Sequence, residues 1–267
     1  MTPFSISTLR PAISAALLFA TVGCGDGGGG SDGAGPTHGQ PSSPAGAQQS
    51  TNWSGYVREG APQSFNRVSG SWTVPEVQCS ASGNTASSTW TGIGGGINTD
   101  PTLIQAGTEQ DCTGGGASYS AWWEAIPAPA FNAGDILGSG TFPVGPGDLI
   151  TVTVDGSSFA VWQISIHNAS RGWTFNTSAP YAAAGTTAEW IEEAPLSAGT
   201  GGAGQATLAN FRRAGFAAVS ANGANPHLSS AERVAMVDSN GNVIANPSNP
   251  GANGDAFDVC YGPGVCP

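Results

Sequence analysis

Short apolar runs, separated by clusters of Gly, Pro, Asn and Ser, extend from Thr51 to the end of the chain. The runs are rich in aromatic and β-branched residues, which predicts strands joined by turns rather than helices. We place strands at residues 53–57, 65–74, 88–93, 102–107, 119–126, 148–154, 160–167, 187–193, 217–221, 234–237 and 256–260. Such regular spacing predicts an all-β sandwich or barrel. Residues 208–214 carry a helical pattern, and we expect one or two turns there.

Residues 1–24 have the layout of an export signal, with a polar start, an apolar stretch too short to span a membrane, and then Gly23 and Cys24. A cysteine directly after a small residue resembles the bacterial lipobox, in which that cysteine is lipidated. Thr21 stands where the lipobox usually has leucine, so an ordinary secretory signal is the alternative. We therefore expect an exported bacterial protein, either a cell-envelope lipoprotein anchored through Cys24 (outer surface or periplasm) or a secreted one.

Residues 25–50 consist of Gly, Ser, Pro, Ala and polar residues with nothing to bury, which predicts a flexible tether. Residues 51–267 are enough for one core, and an all-β domain of that size is common, so we expect a single domain there. We also expect a monomer.

The charge balance excludes one class of partner. The chain has seven arginines, no lysine and 18 acidic residues, for a net charge of -11 and a pI near 4.3. Phosphate binding needs a basic surface, so we expect no nucleic-acid partner. Because so few basic groups can repel one another at low pH, the composition suits an acidic environment. An anionic surface kept for solubility is the alternative interpretation.

The cysteines indicate an oxidising compartment. If Cys24 is lipidated, Cys79, Cys112, Cys260 and Cys266 form an even set, consistent with two disulfides. Of the three possible pairings we favour Cys79–Cys112 and Cys260–Cys266. The spacings match no zinc pattern and no histidine lies nearby in sequence, so we expect no metal site and no cofactor.

Two of the predicted strands carry polar side chains among apolar ones. Because side chains alternate along a strand, Gln105 shares a face with Leu103. In residues 187–193 the same alternation puts Glu189 and Glu193 on one face and Glu192 on the other.

A third strand, residues 119–126, places Trp122 and Glu124 together on one face. If the three strands were neighbours on a concave sheet, these groups would converge in a cleft. An amide and a carboxylate in such a cleft could form a hydrolytic pair.

These segments resemble the glutamic peptidases, the eqolisin family (peptidase family G1), known from fungi and also seen in bacteria. The resemblance covers essentially the whole predicted domain, and the order and spacing of its motifs carry it rather than any one of them. The matching segments are residues 52–56 (NWSGY), 68–75 (VSGSWTVP), 90–96 (WTGIGGG), 103–107 (LIQAG), 119–127 (YSAWWEAIP), 147–148 (GD) and 188–195 (AEWIEEAP).

The resemblance implies a concanavalin A-like sandwich of two antiparallel sheets and a pepstatin-insensitive endopeptidase that works at acid pH on protein and peptide substrates. It also implies a catalytic glutamine–glutamate dyad. The glutamine falls on Gln105, and an ungapped match of the AEWIEE segment puts the glutamate on Glu193, with Glu189 as the alternative. The residues that the resemblance places in the substrate cleft are Trp53, Glu109, Trp122 and Glu124.

One position departs from the family pattern. Fungal members carry an aspartate after the W-x-G-I run, where this chain has Gly94. The departure concerns the hydrogen bonds around the dyad and not the dyad itself.

The chemistry of this pair is consistent with peptide hydrolysis. A glutamate, with an ordinary pKa of about 4.3, could take a proton from water and pass it to the leaving amine at acid pH. The amide of a glutamine could donate an N–H to the oxyanion without ever titrating.

The rival hypothesis is a carbohydrate-binding or glycoside-hydrolysing sandwich. Trp122 and Trp123 would suit stacking against sugar rings, and paired carboxylates can hydrolyse glycosides. That hypothesis gives Gln105 no special role.

Overall fold

The structure, a computed structural model, describes residues 48–96, 100–127, 134–157, 160–195 and 205–267. Within these ranges the regular secondary structure is β-strand throughout, apart from a single 3-10 turn at Ser230–Glu232. The strands are β1 (Gln48–Ser50), β2 (Trp53–Glu59), β3 (Arg67–Thr73), β4 (Thr85–Gly94), β5 (Leu103–Thr113), β6 (Gly116–Ile126), β7 (Gly134–Ile136), β8 (Leu149–Asp155), β9 (Val161–Asn168), β10 (Trp173–Pro180), β11 (Thr187–Glu193), β12 (Arg213–Ala221), β13 (Arg233–Val237), β14 (Val243–Pro247) and β15 (Phe257–Tyr261).

The strands hydrogen-bond in the order β10-β9-β8-β3-β12-β15-β14-β13-β2-β11-β4-β5-β6-β7, with every pair antiparallel. The path doubles back on itself. Trp72 on β3 donates its indole N–H to Thr108 on β5 at 3.0 Å, and Trp190 on β11 donates to the carbonyl of Ser69 on β3 at 2.8 Å. Because β3 lies far from β5 and β11 in the strand order, these bonds join two facing layers. The predicted antiparallel sandwich is confirmed, with its two layers continuous through β15, β14, β13 and β2.

Every strand that we place from the sequence has a counterpart within a few residues. The structure adds β1, β7, β10 and β14, which are short or contain few apolar residues. The helical prediction for residues 208–214 is wrong. Leu208 and Asn210 form isolated β-bridges, Arg212 has a left-handed backbone with φ of 58°, and Arg213 begins β12.

Two apolar clusters lie on opposite faces of the layer that contains β11, β4, β5 and β6. The larger cluster fills the space between the layers and includes Trp72, Trp123 and Trp190. The smaller cluster lies on the other face of this layer. It consists of Trp53, Val57, Trp90, Leu103, Trp122, Ile191 and Val234.

Both favoured disulfides are confirmed. Cys79 and Cys112 are joined with a Cα–Cα distance of 5.3 Å, as are Cys260 and Cys266. Cys24 lies outside the described residues, and the lipidation that we predict for it stays a prediction.

Three residues before the boundary that we place at Thr51 are part of the described sheet. Strand β1 pairs in parallel with β13. Buried Ser50, at its end, accepts a hydrogen bond from the backbone N–H of Trp53 at 3.1 Å. Residues 48–50 therefore belong to the sheet rather than to the tether. In the described ranges we find no helix long and apolar enough to cross a membrane.

Candidate active site

The strand register brings the expected polar residues together on one face of β11, β4, β5 and β6. One cross-strand row contains Glu189, Gly92, Gln105 and Glu124, in that order across the four strands. All the side chains in this row are buried. The amide predicted on β5 and the carboxylate predicted on β6 are therefore direct cross-strand neighbours.

A second row lies four residues along the same strands. It contains Glu193 on β11, Ser88 on β4 and Glu109 on β5. Between the two rows lie Trp90 and Trp122, which belong to the smaller apolar cluster. The face is thus a floor of tryptophan with a row of polar groups on each side, and we call it the candidate cleft.

Glu193 is the carboxyl of the candidate cleft with the most N–H donors around it. The side-chain amide of Asn52 donates to one carboxylate oxygen at 3.2 Å, and the Trp90 indole donates to the other at 2.8 Å. Burial raises the pKa of Glu193 to about 7, while the hydrogen bonds from Trp90 and Asn52 lower it and keep it from rising further. These N–H groups favour the carboxylate form and hold it in one orientation.

Glu124 and Glu109 are electrostatically linked to Glu193. Burial raises the pKa of Glu124 to about 8, and the charge of Glu193 adds to the rise while a hydrogen bond from Gln105 opposes it. Glu109 is buried beside Asp111, and both effects raise its pKa well above its ordinary value. Near neutral pH the candidate cleft therefore holds protonated carboxyls around Glu193.

Gln105 is almost fully buried, and its two amide ends have different surroundings. The side chain donates toward Glu124, while the buried Oε1 has no hydrogen-bond partner in the part of the chain that the structure describes. A buried amide oxygen without a donor is costly, so this end of Gln105 calls for an explanation.

The tryptophans of the candidate cleft hold its floor in place. Trp53 packs edge-on against Trp90 with ring centroids 5.0 Å apart. Trp122 donates its indole N–H to Ser88 at 3.0 Å, and Ser88 donates in turn to the carbonyl of Thr108 at 3.1 Å. These bonds tie β6 to β4 across β5.

The alternation predicted for residues 187–193 is present in the structure. Glu189 and Glu193 lie on the cleft face, and Glu192 lies on the face toward the other layer. The Thr89 hydroxyl donates to Glu192 at 2.6 Å, and burial raises the pKa of Glu192 to about 8. Glu189 is fully buried, no N–H group of the described residues donates to its oxygens, and burial raises its pKa well above the ordinary value while Thr187 lowers it.

Sequence reasoning did not single out Asn52, Trp90 or Ser88 as site residues. Trp90 and Ser88 could have been found from alternation on β4, because they share the cleft face with Gly92. Asn52 precedes β2 and carries no periodic signal. Gly94 has φ of 94°, and a Cβ placed there would lie 3.4 Å from a carboxylate oxygen of Asp100. A buried carboxyl from the loop thus occupies space beside this glycine.

Among the described residues, no group of three or more His, Cys, Asp and Glu side chains has an arrangement that could hold a metal ion. Two open surface depressions, of about 440 and 550 Å³, lie away from the candidate cleft. The first is lined by segments around His227 and Asn253, and the second by segments around Pro75 and Arg213. Neither brings an amide and a buried carboxyl together.

Comparisons with known proteins agree with the resemblance. The family model described as Peptidase A4 family matches residues 51–256. Aspergillopepsin-2 of Aspergillus niger is 26% identical over 237 residues, covering 80% of this chain and 78% of the relative.

Solved structures show the same fold. Scytalido-glutamic peptidase with a peptide-based transition state analog has a TM-score of 0.61 and 22% identity, covering 79% of this chain and 98% of that one. Aspergilloglutamic peptidase from Aspergillus niger has a TM-score of 0.54 and 23% identity, covering 66% and 99%. Because the family model spans most of the sequence, this chain belongs to the Peptidase A4 family, the eqolisin-type glutamic peptidases, and is a hydrolase.

Proposed function

We propose that this protein is an exported endopeptidase that hydrolyses peptide bonds with Glu193 as general base and Gln105 as oxyanion donor. One observation supports the proposal most. A buried carboxylate held by two N–H donors lies on the same tryptophan-floored face as a buried amide. The donors orient the base, and the amide offers an N–H that needs no change of protonation.

The proposed reaction has two proton transfers. Glu193 takes a proton from water as the water oxygen attacks the peptide carbonyl carbon. Gln105 donates an N–H to the resulting oxyanion. The protonated Glu193 then delivers its proton to the amide nitrogen, the C–N bond breaks, and an acid and an amine leave while the carboxylate is restored. The cleft residues Trp53, Trp122, Glu109 and Glu124 are proposed to contact the substrate.

The surroundings of Glu189 support Glu193 as the base. A general base must be ionised when it accepts the proton, and Glu193 has N–H donors that favour its ionised form. Neither carboxylate oxygen of Glu189 has such a donor, and the charge of Asp100 raises its pKa further. A neutral Glu189 cannot take a proton from water.

The working pH is bounded by two carboxyls. With its pKa near 7, Glu193 loses about tenfold of its ionised fraction for each pH unit below that value. Above a pH of about 8, Glu124 ionises and places a negative charge beside the developing oxyanion. We therefore expect an optimum between the ordinary glutamate value of about 4.3 and about 8, higher than an unshifted glutamate would give.

The test uses casein digestion with pepstatin present, over a pH range from about 2 to 8. Gln105→Ala and Glu193→Gln should lose digestion. Their matched controls are Gln110→Ala and Glu192→Gln, which alter buried residues on the opposite face of the same two strands. If the two cleft variants digest casein as fast as their controls, the dyad assignment is wrong.

Structural observations weigh against the carbohydrate alternative. Trp123 is 2% exposed and packs between the layers, and Trp122 is 7% exposed with its indole N–H bonded to Ser88. Sugar stacking needs an open aromatic face, and Trp123, which packs between the layers, offers none. Sugar binding by the wild type without casein digestion would favour that alternative.

We also propose that the protein acts outside the cytoplasm as a monomer, tethered through lipidated Cys24. The two disulfides support an oxidising compartment. Cys24→Ser should release the protein from membranes into the soluble fraction. If the wild type and Cys24→Ser distribute in the same way between the membrane and soluble fractions, Cys24 is not lipidated.

A further inference from the structure

Glu189 is a buried carboxyl that the proposed reaction does not use. It is 0% exposed, and no N–H group of the described residues donates to either carboxylate oxygen. An unpaired charge in such a place would cost many kcal/mol, so the group sheds it by holding its proton. Burial and the charge of Asp100 both raise the pKa of Glu189, while Thr187 lowers it. The neutral carboxyl then has one O–H to donate.

Gln105 offers a matching acceptor. Among the described residues its buried Oε1 receives no hydrogen bond, while its side chain donates toward Glu124 on the other side. One buried group therefore has an O–H to donate, and the other has an acceptor without a donor. A buried acceptor left unpaired destabilises the fold.

The sheet places these two groups in the same row. Glu189 pairs with Gly92 on β4, and Gly92 pairs with Gln105 on β5. Two strand spacings separate their backbones by about 10 Å. Two long side chains on the same face can span that gap, directly or through one buried water, only if nothing stands between them.

Gly92 keeps the gap open. A Cβ at this position would lie 2.9 Å from the carbonyl oxygen of Ile104, 3.0 Å from the Cβ of Gln105 and 3.1 Å from the Trp90 ring. Any side chain would therefore displace Gln105 or fill the space over β4. The glycine serves here as a spacer between β11 and β5.

We propose that Glu189 is a positioning residue whose neutral carboxyl donates a hydrogen bond across Gly92 to Oε1 of Gln105. This bond holds the amide with its oxygen toward β11 and its N–H groups toward Glu124 and the scissile carbonyl. Without it, the amide can rotate and present its oxygen, which would repel an oxyanion. The inference rests on the role proposed above for Gln105.

The test separates donation from packing. Glu189→Gln keeps a donor of nearly the same shape, and it should leave kcat within about threefold of the wild type. Glu189→Met has similar length but no donor, and it should lower kcat by about tenfold to a hundredfold, part of the 10²–10³ that a lost oxyanion donor costs. KM should change little in either variant, because the bond acts on the transition state.

The matched control is Glu192, on the same strand and equally buried but on the other face. Glu192→Met should leave kcat unchanged, whatever it does to thermal stability. If Glu189→Met keeps the wild-type kcat, or if Glu189→Gln loses as much as Glu189→Met, the inference is overturned.

A double-variant cycle distinguishes this inference from the proposed function. In a Gln105→Ala background, Glu189→Met should cause no further loss, since the residue that it positions is gone. A fully active Gln105→Ala overturns both proposals. An inactive Gln105→Ala with a fully active Glu189→Met overturns only the positioning role.

A second measurement covers the case in which Glu189→Met does not fold. The infrared difference spectrum between the wild type and Glu189→Gln at neutral pH should show loss of a protonated-carboxyl C=O band. Loss of a carboxylate band instead would mean that Glu189 is ionised, and it would overturn the inference.

Discussion

Glu192 and Glu193 are adjacent in sequence and both are almost fully buried, yet they lie on opposite faces of β11. Glu192 faces the other layer and accepts from the Thr89 hydroxyl, which can equally well accept a hydrogen bond from a protonated carboxyl. Glu193 faces the tryptophan floor and accepts from an indole N–H and an amide N–H, groups that can only donate. Burial raises both pKa values, so burial alone does not mark a catalytic carboxyl. The two carboxyls are distinguished by the kind of hydrogen-bond donor around each and by the face of β11 on which each lies.

The largest expected difference between the two faces is in turnover. Glu193→Gln should lower kcat by about 10²–10⁴, the range for losing a general base, because the amide cannot take a proton from water. Glu192→Gln should leave kcat within about threefold. Steady-state kinetics with a peptide substrate measure both. Equal losses would erase the distinction between the faces.

The next effect concerns stability, and both faces contribute to it. The folded-state pKa values of Glu192 and Glu193 are raised, so the native protein binds protons that the unfolded chain releases. The stability that these protons confer is fully present below about pH 4.3 and is lost as pH rises to about 8. We expect a fall on the order of a few kcal/mol across that range, measured by urea denaturation.

Glu192→Gln sharpens this expectation. The amide does not titrate, so the variant should lose less stability between about pH 4.3 and pH 8 than the wild type does. A steeper loss in the variant would mean that Glu192 is ionised in the folded protein.

A smaller effect should appear in the pH profile of the cleft face. Asn52 donates to Glu193 and so favours its charged form. Asn52→Ala removes that donor and should raise the pKa of Glu193 by about one unit. The acidic limb of kcat/KM should therefore move to higher pH. Ser50→Ala, which removes a hydrogen bond to Asn52 but none to the carboxyl, is the control and should shift the limb less.

The smallest effect is expected at the floor of the candidate cleft. Trp122→Phe removes the indole N–H that donates to Ser88 while keeping an aromatic ring. The lost hydrogen bond should cost about 1 kcal/mol of stability and raise KM a few-fold. Thermal denaturation and peptide kinetics measure the two. A large fall in kcat with KM unchanged would give Trp122 a part in the chemistry itself.

Much of this arrangement could be predicted because it depends on a period of two residues. Alternation alone separates Glu192 from Glu189 and Glu193, and it puts Gln105 beside Leu103. It also identifies the strands that carry them, since their apolar residues repeat at the same period.

Strand order could not be predicted in this way. Nothing local to β11 indicates that it lies between β2 and β4, and the row from Glu189 to Gln105 exists only because of that order. The same limit applies to Asn52, which reaches Glu193 across 141 residues of sequence. The helix expected at residues 208–214 failed for a related reason, because long-range bridges at Leu208 and Asn210 override local propensity there.

The central position of β11 has a consequence for when this protein can act. The strands that carry Gln105, Glu124 and the tryptophan floor all precede residue 127, whereas β11 ends at Glu193. A chain is synthesised from its N-terminus. Until β11 inserts between β2 and β4, which are synthesised much earlier, the growing chain lacks the general base Glu193 and the row that begins at Glu189 is incomplete. Such late, non-local pairing is slow. We expect the growing chain to be unable to cut its neighbours or its own unfolded segments, so that the order of synthesis itself delays proteolysis.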